Sequence, residues 1–231
     1  MENWNRYLLK ESGFSRIHQH IEEHDCAILT AFRNDPKDMS KCAKGSIDDT
    51  DQKGNTRTLN KRRNRDLKAI LLGFDYGVAQ DMSEPLRKEL EKAMLLGFDY
   101  GVTAVDGSYI ENFEQPGQIE VKEDSLFVVN LNDGPDFVRN VREMAEKFCQ
   151  DSVIVIPQGG KSAYLYGTNN SEFPGYGEKV EVGNLKMGKE AEFMTRVNKR
   201  PFTFGEGLET YKNLSRLEKM VVKSIKKQLL K

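Results

Sequence analysis

No run in this 231-residue chain is long and apolar enough to cross a bilayer, and charges stand within its first dozen positions where a secretion signal would have an apolar core. A soluble protein is expected. Cysteine is scarce: Cys26, Cys42 and Cys149 are an odd set without metal-like spacing, which predicts reduced thiols in a cytoplasmic setting. Excess charge of either sign is also missing. With 35 basic against 36 acidic side chains the net charge is -1, so only a local patch would bring the chain to nucleic acid or to an anionic membrane. No complete catalytic motif is present. What the chain does have is 38% hydrophobic residues, enough for a real core in one decorated domain or two small ones.

The clearest stretch is Glu123–Pro157. Leu126–Leu131 reads as a buried strand that stops at Asn132-Asp133-Gly134-Pro135, a turn cluster. Phe137, Val141, Met144, Ala145 and Phe148 then recur at helical spacing on one face, and Ser152–Ile156 gives a second buried strand. Upstream, residues 2–24 read as helical with a break at Ser12-Gly13, which sets off residues 1–11 as a leader. Residues 27–32 read as a strand and 36–58 as a polar loop, mobile or a lid. A helix over 59–72 ends at Gly73. Its end, Lys68–Val78, returns as Lys92–Val102 with only Ile70 changed to Met94, a local duplication that adds a second helix with Ser83 as N-cap.

In order, these elements give β, α and its copy, β, β, α, β. The fold class expected is α+β, a ferredoxin-like βαββαβ sandwich in which two helices cover one face of a four-stranded antiparallel sheet. The domain plan is an N-terminal leader and helix (1–24), the ferredoxin-like core (25–166, with loop 36–58 and the duplicated segment 67–102), a β-rich extension (167–205) and a basic amphipathic C-terminal helix (206–231).

Several strings resemble an uncharacterised family of phage and bacterial proteins: Thr30-Ala31-Phe32-Arg33, Asn60 with Arg63-Asn64, Gly107-Ser108-Tyr109-Ile110-Glu111, Glu123-Asp124-Ser125, and Phe148-Cys149-Gln150-Asp151-Ser152-Val153. The resemblance spans roughly residues 14 to 204; it implies a phage origin and supplies no mechanism. The leader, ending Leu9-Lys10-Glu11, resembles the targeting peptides that carry internal proteins into tailed-phage heads, with Glu11 as the processing site.

Three constellations are candidates for chemistry. Thr30, Arg33, Arg63, Asn64, Glu111, Glu123, Ser125 and Gln150 fall at strand ends or helix starts, where one polar cleft would hold a nucleotide or a carboxylate, with Glu111 and Glu123 as an acid/base pair; the alternative is that they cap turns and helices. His20-Ile21-Glu22-Glu23-His24 fits a two-histidine zinc pattern, though a solvated helix end is the commoner outcome. Gln158-Gly159-Gly160-Lys161 reads as a hairpin turn rather than a phosphate cradle. The leading functional expectation is a non-catalytic phage accessory or internal virion protein that binds a host factor or sequesters a small ligand. It would need no cofactor and work in the host cytoplasm or packaged in the virion head. The alternative is an enzyme acting on a nucleotide or nucleic acid through the Arg/Asn/Glu cleft. A DNA partner held by the basic helices is a third, weaker reading, and no membrane partner is expected.

Overall fold

The computed structural model describes residues 14–48, 50–73, 81–111, 119–187, 193–197 and 200–205. The leader with Glu11 and the basic C-terminal helix expected over 206–231 lie outside the described residues, as does the back half of the first duplicated copy. Among the described residues no helix is long and apolar enough to cross a membrane.

The elements run α1 (Phe14–Glu23), β1 (Cys26–Leu29), α2 (Thr56–Leu71), α3 (Glu84–Leu95), β2 (Gly101–Glu111), β3 (Ile119–Val129), α4 (Phe137–Lys147), β4 (Ser152–Ile156), β5 (Ala163–Gly167), β6 (Lys179–Met187), β7 (Phe193–Val197) and β8 (Arg200–Gly205). Local chemistry sets many of the bounds. Asn55 caps α2 by accepting from the Thr58 amide at 2.9 Å. Helix α4 buries Phe137, Asn140, Val141, Met144 and Ala145 on one face. It stops where Cys149 turns left-handed at φ +52 and the Gln150 amide bonds back to the Ala145 carbonyl at 2.9 Å. Gly159 and Gly160 take positive φ in the turn that joins β4 to β5, the hairpin expected there.

The α+β class holds, with helices and an all-antiparallel sheet. The expected four strands lie in the order β4-β1-β3-β2, but the sheet does not end with them. It closes into a barrel in the order β1-β3-β2-β7-β8-β6-β5-β4. The difference comes from strand length and from edges. Strands β2 and β3 each run 11 residues, and the far half of β2 meets β7 from Asp106↔Arg196 to Tyr109↔Phe193. Strand β5 carries the other edge on through β6, so neither edge is left unpaired.

Two apolar clusters divide the molecule. Side chains alternate across a strand, so Leu126 and Val128 of β3 face α2, α3 and α4, together with Ala27, Leu29, Val153 and Val155. Phe127 and Val129 face the barrel interior with Cys26, Ile28, Val105, Ile156 and Ala163, and Ile17 and Ile21 of α1 plug that end. The chain over 36–55, expected to be mobile or a lid, is tied to the end of α4: Ser46 Oγ donates to the Glu146 carbonyl at 2.6 Å and the Ile47 amide to that of Lys147 at 2.8 Å.

The thiol expectation is corrected for two of three cysteines. Cys42 and Cys149 form a disulfide with Cα atoms 5.0 Å apart, because the 36–55 segment folds back on the α4–β4 turn 107 residues away in sequence. Cys26 is free and buried, and burial pushes its thiol well above the ordinary range.

Candidate active site

Beyond Phe127, toward the start of β3, the described inward-facing positions turn polar. Continuing the alternation that puts Phe127 and Val129 inside, Ser125 and Glu123 of β3 also face inward, one and two steps nearer the opening. Opposite Glu123 on β2 stands Gly107, and a side chain there would collide with the Ser125 hydroxyl and approach the Glu123 carbonyl. Burial, followed by the charge of Asp151, pushes the Glu123 carboxyl up to about 7. Asp151 lies in the short turn between α4 and β4, and its carboxylate accepts from Asn169 Nδ2 at 2.6 Å. Thr168 braces the same turn, its Oγ1 donating to the Gln150 carbonyl at 2.6 Å and its amide to the Asp151 carbonyl at 3.0 Å.

A second layer of polar side chains fastens the backbone behind this mouth. Thr30 Oγ1 and Asn64 Nδ2 both donate to the Asp124 carbonyl, at 2.8 and 3.1 Å. The Asn64 carbonyl oxygen accepts from the Ala31 amide at 3.1 Å, and Asn60 clamps Arg33 through both its amide (3.0 Å) and its carbonyl (2.8 Å). Arg63 is buried; it donates through Nε to the Ala31 carbonyl at 2.9 Å and through Nη2 to the Phe148 carbonyl, with its guanidinium over the Phe148 ring. Gln150 Nε2 reaches the carbonyls of Phe32 and Phe148 at 3.3 and 3.1 Å.

The eight cleft residues expected from sequence thus take three positions. Glu123 and Ser125 face the mouth. Thr30, Arg63, Asn64 and Gln150 spend polar atoms on main-chain groups, binding the segment after β1 to α2, β3 and the α4–β4 turn. Arg33 follows in that segment, and its Nη1 is buried without a hydrogen-bond partner among the described residues. Glu111 ends β2 opposite Ile119, four residues past Gly107, which separates its backbone from that of Glu123 by about 13 Å along the sheet. Sequence reasoning did not single out Asp151, Thr168, Asn169 or Asn60 as candidates. Asp151 and Asn60 stand inside the strings that carry the resemblance, which was the one available signal; Thr168 and Asn169 follow β5 in a polar loop without periodicity.

His20 of α1 and His24, just after that helix, lie at the plugged end. His24 Nδ1 sits 2.9 Å from the Asp133 carboxylate, and His20 has its pKa lowered by burial first and by His24 second. Among the described residues no group of three or more His, Cys, Asp or Glu could hold a metal ion. A cavity of about 170 Å³ lies between α2 and α3, lined by Arg62, Asp66, Met82 and Leu86 among others, and it shares Arg63 and Phe148 with the polar layer described above.

Residues 50–212 match the model of the S-adenosylmethionine lyase family. No curated protein matches the chain. The family match overturns the expectation of a protein that only binds a host factor or sequesters a ligand, and with it the expectation that the chain is not an enzyme. It fits the alternative better, an enzyme acting on a nucleotide or nucleic acid, to the extent that the family is one of enzymes and acts on a small ligand. It also replaces the uncharacterised family by one whose name carries an activity.

Proposed function

The chain belongs to the S-adenosylmethionine lyase family, and on that premise we propose that it breaks a carbon–sulfur bond of S-adenosylmethionine at the polar mouth of the barrel. A sulfonium departs as a neutral thioether, so no protein acid has to protonate the leaving group. A lyase uses no water, so the electron pair that replaces the broken bond comes from the substrate itself. It comes either from a C–H bond, in an elimination that needs a base, or from the substrate's own carboxylate closing a five-membered ring at Cγ. Both routes require a cation held in line and water kept away.

The observation that carries this reading is Glu123: a mostly buried carboxyl, pushed up to about 7, on the inward face of β3. Such a group is about half protonated near pH 7 and mostly neutral a unit below it, and an arriving cation favours its ionised form, so charge appears where and when the sulfonium binds. Arg33, with a buried Nη1 free of partners among the described residues, is our choice for the substrate carboxylate. Thr30, Arg63, Asn64 and Gln150 serve as the wall that holds the segment after β1 in place, and Glu111, at the end of β2, is a second acidic candidate. We also read β4-β1-β3-β2 with α2 and α4 as a ferredoxin-like half that the remaining strands close. In the host cytoplasm of an infected cell, the activity would deplete the methyl donor.

The test is to incubate the purified protein with S-adenosylmethionine in water enriched in oxygen-18 and to weigh the first products. The expected result is loss of substrate into two fragments whose masses sum to that of the substrate, with no heavy oxygen at early times. No consumption by folded protein, or one heavy oxygen per turnover, contradicts the reading.

A further inference from the structure

The segment from Pro36 to Asp48 is strapped to the end of α4, and its non-covalent hold is thin. Pro36 and Ile47 are its only buried residues. Ser46 Oγ and the Ile47 amide bond to the Glu146 and Lys147 carbonyls, and the Lys41 carbonyl accepts from the Asn170 amide at 3.0 Å. Others of its bonds are local turns, such as the Lys37 amide to Asp35 and the Ser40 amide to Asp38, both at 2.9 Å. A stretch with so little apolar burial opens at low cost unless something else closes it. The Cys42–Cys149 disulfide does so, joining the middle of the strap to the residue after Phe148. Phe148 lines the cavity of about 170 Å³ between α2 and α3, and Ile47 lines it from the strap, so the bond fastens one wall of that cavity to another. The two sulfurs are unequally reached: Cys149 is 1% exposed, whereas Cys42 is half-buried.

We propose that this disulfide is a thiol-operated latch: made, it shuts the strap over the cavity; broken, it releases residues 36–48 and leaves the barrel standing. A small thiolate attacks Cys42 Sγ, the sulfur within reach, and the S–S bond breaks with Cys149 leaving as a thiolate. A second small thiol then displaces Cys42 from the mixed disulfide. The protein gains two electrons and two protons, and two small thiols become one small disulfide. A small disulfide such as oxidised glutathione reverses both steps. Cys26 takes no part, because it is buried with Ile28 and Phe127 in the barrel interior. The barrel stands without the strap because none of its eight strands lies in residues 36–48 and its interior cluster draws nothing from them. The latch does not rest on the lyase reading.

Amide hydrogen exchange, read by mass spectrometry on the full chain, tests it in oxidised glutathione, then in reduced glutathione, then after return to the oxidised form. The amides of Cys42, Ser46 and Ile47 are hydrogen-bonded in the closed strap, to the carbonyls of Met39, Ala43 and Lys147. The expected result is that they exchange about tenfold faster or more in reduced glutathione and slow again on reoxidation, while the amides of β1 and β3 change by less than about twofold. Cys42→Ser, which cannot form the bond, should exchange at the fast rate in both forms of glutathione. Should that variant fail to fold, natural protein reduced and capped with iodoacetamide takes its place. Strap amides that exchange alike in the two forms, a Cys42→Ser or capped protein as slow as the latched one, or loosening that spreads equally to β1 and β3 overturns the proposal.

Discussion

The two ends of the barrel are built on the same strands and do opposite things. Reading outward along the inner face of β3, Val129 and Phe127 pack with Cys26, Ile156 and the α1 plug of Ile17 and Ile21, and two residues further the same face carries Ser125 and then Glu123. At the plugged end the chain closes on itself, with the Gly159 amide donating to the Ile21 carbonyl at 2.7 Å and Gln158 bonding to Asp25 and Glu23. Farther along the inner face of β3 a carboxyl is buried, and burying a carboxyl gives none of the return in stability that burying an apolar side chain gives. Burying an ionisable group costs free energy, a cost that the apolar end offsets and that the proposed lyase chemistry would put to use.

Substitutions at the two ends should therefore separate activity from stability. The largest effect belongs to the mouth: Glu123→Gln should reduce the turnover of S-adenosylmethionine by on the order of 10³-fold while circular dichroism and the melting transition stay near those of the natural protein. Next is the plug, where Ile21→Ala should cost about 2–4 kcal/mol of unfolding free energy in a denaturant titration and leave the activity per folded molecule unchanged. An activity loss at Ile21 matching that at Glu123 would erase the distinction between the ends. Gly107→Ala sits between the two classes, because its methyl group must displace the Ser125 hydroxyl. It should cost about 1–3 kcal/mol and also slow turnover, and a variant stable but unimpaired would show that Ser125 and Glu123 need no fixed partner across the strand.

The smallest effect is a pH dependence. Glu123 keeps its proton up to about pH 7 in the folded chain but only to its ordinary 4.5 when unfolded, so between those values the folded state binds more protons. Its contribution to stability is full below pH 4.5 and is lost as pH rises through 7. Glu123→Gln removes that loss. The variant should gain on the order of 1–2 kcal/mol relative to the natural protein on going from pH 4.5 to pH 8, read from paired denaturant titrations at the two pH values.

How much of this was legible in the sequence depended on the range of the interactions involved. Local signals placed α4 within a residue or so at each end and β4 from Ser152 to Ile156, since spacing and turn chemistry act over a few residues. Barrel closure was not legible, because the pairing of β2 with β7 joins segments nearly 90 residues apart and neither strand names its partner. The duplication makes the point with a single change of sequence, Ile70 against Met94. Lys68–Gly73 and Lys92–Gly97 end their helices alike, each with a left-handed glycine whose amide bonds three residues back, at 2.9 and 3.1 Å. Yet Leu71 is 0% exposed and Leu95 89%, because Phe98 and Tyr100 of the second copy pack beside the end of the first, and a side chain at Gly73 would strike the Phe98 carbonyl. Identical residues gave identical local structure and opposite burial. The site followed the same rule: Glu123 and Ser125 were visible as polar residues bordering a buried strand, whereas the disulfide and the bonds of Thr168 and Asn169 to the α4–β4 turn exist only once the tertiary structure forms.

The central claim is that Glu123 supplies its charge to a sulfonium bound in the barrel mouth, and proton release on binding tests it most directly. Calorimetry at pH 6.5, in two buffers of different ionisation enthalpy, would compare 5′-dimethylsulfonioadenosine, which keeps the sulfonium but has no amino-acid chain to cleave, with the neutral 5′-methylthioadenosine. Release of most of a proton with the sulfonium, none with the thioether and none from Glu123→Gln with either is the predicted result. Equal proton release for the charged and neutral ligands, or release that persists in Glu123→Gln, would contradict it.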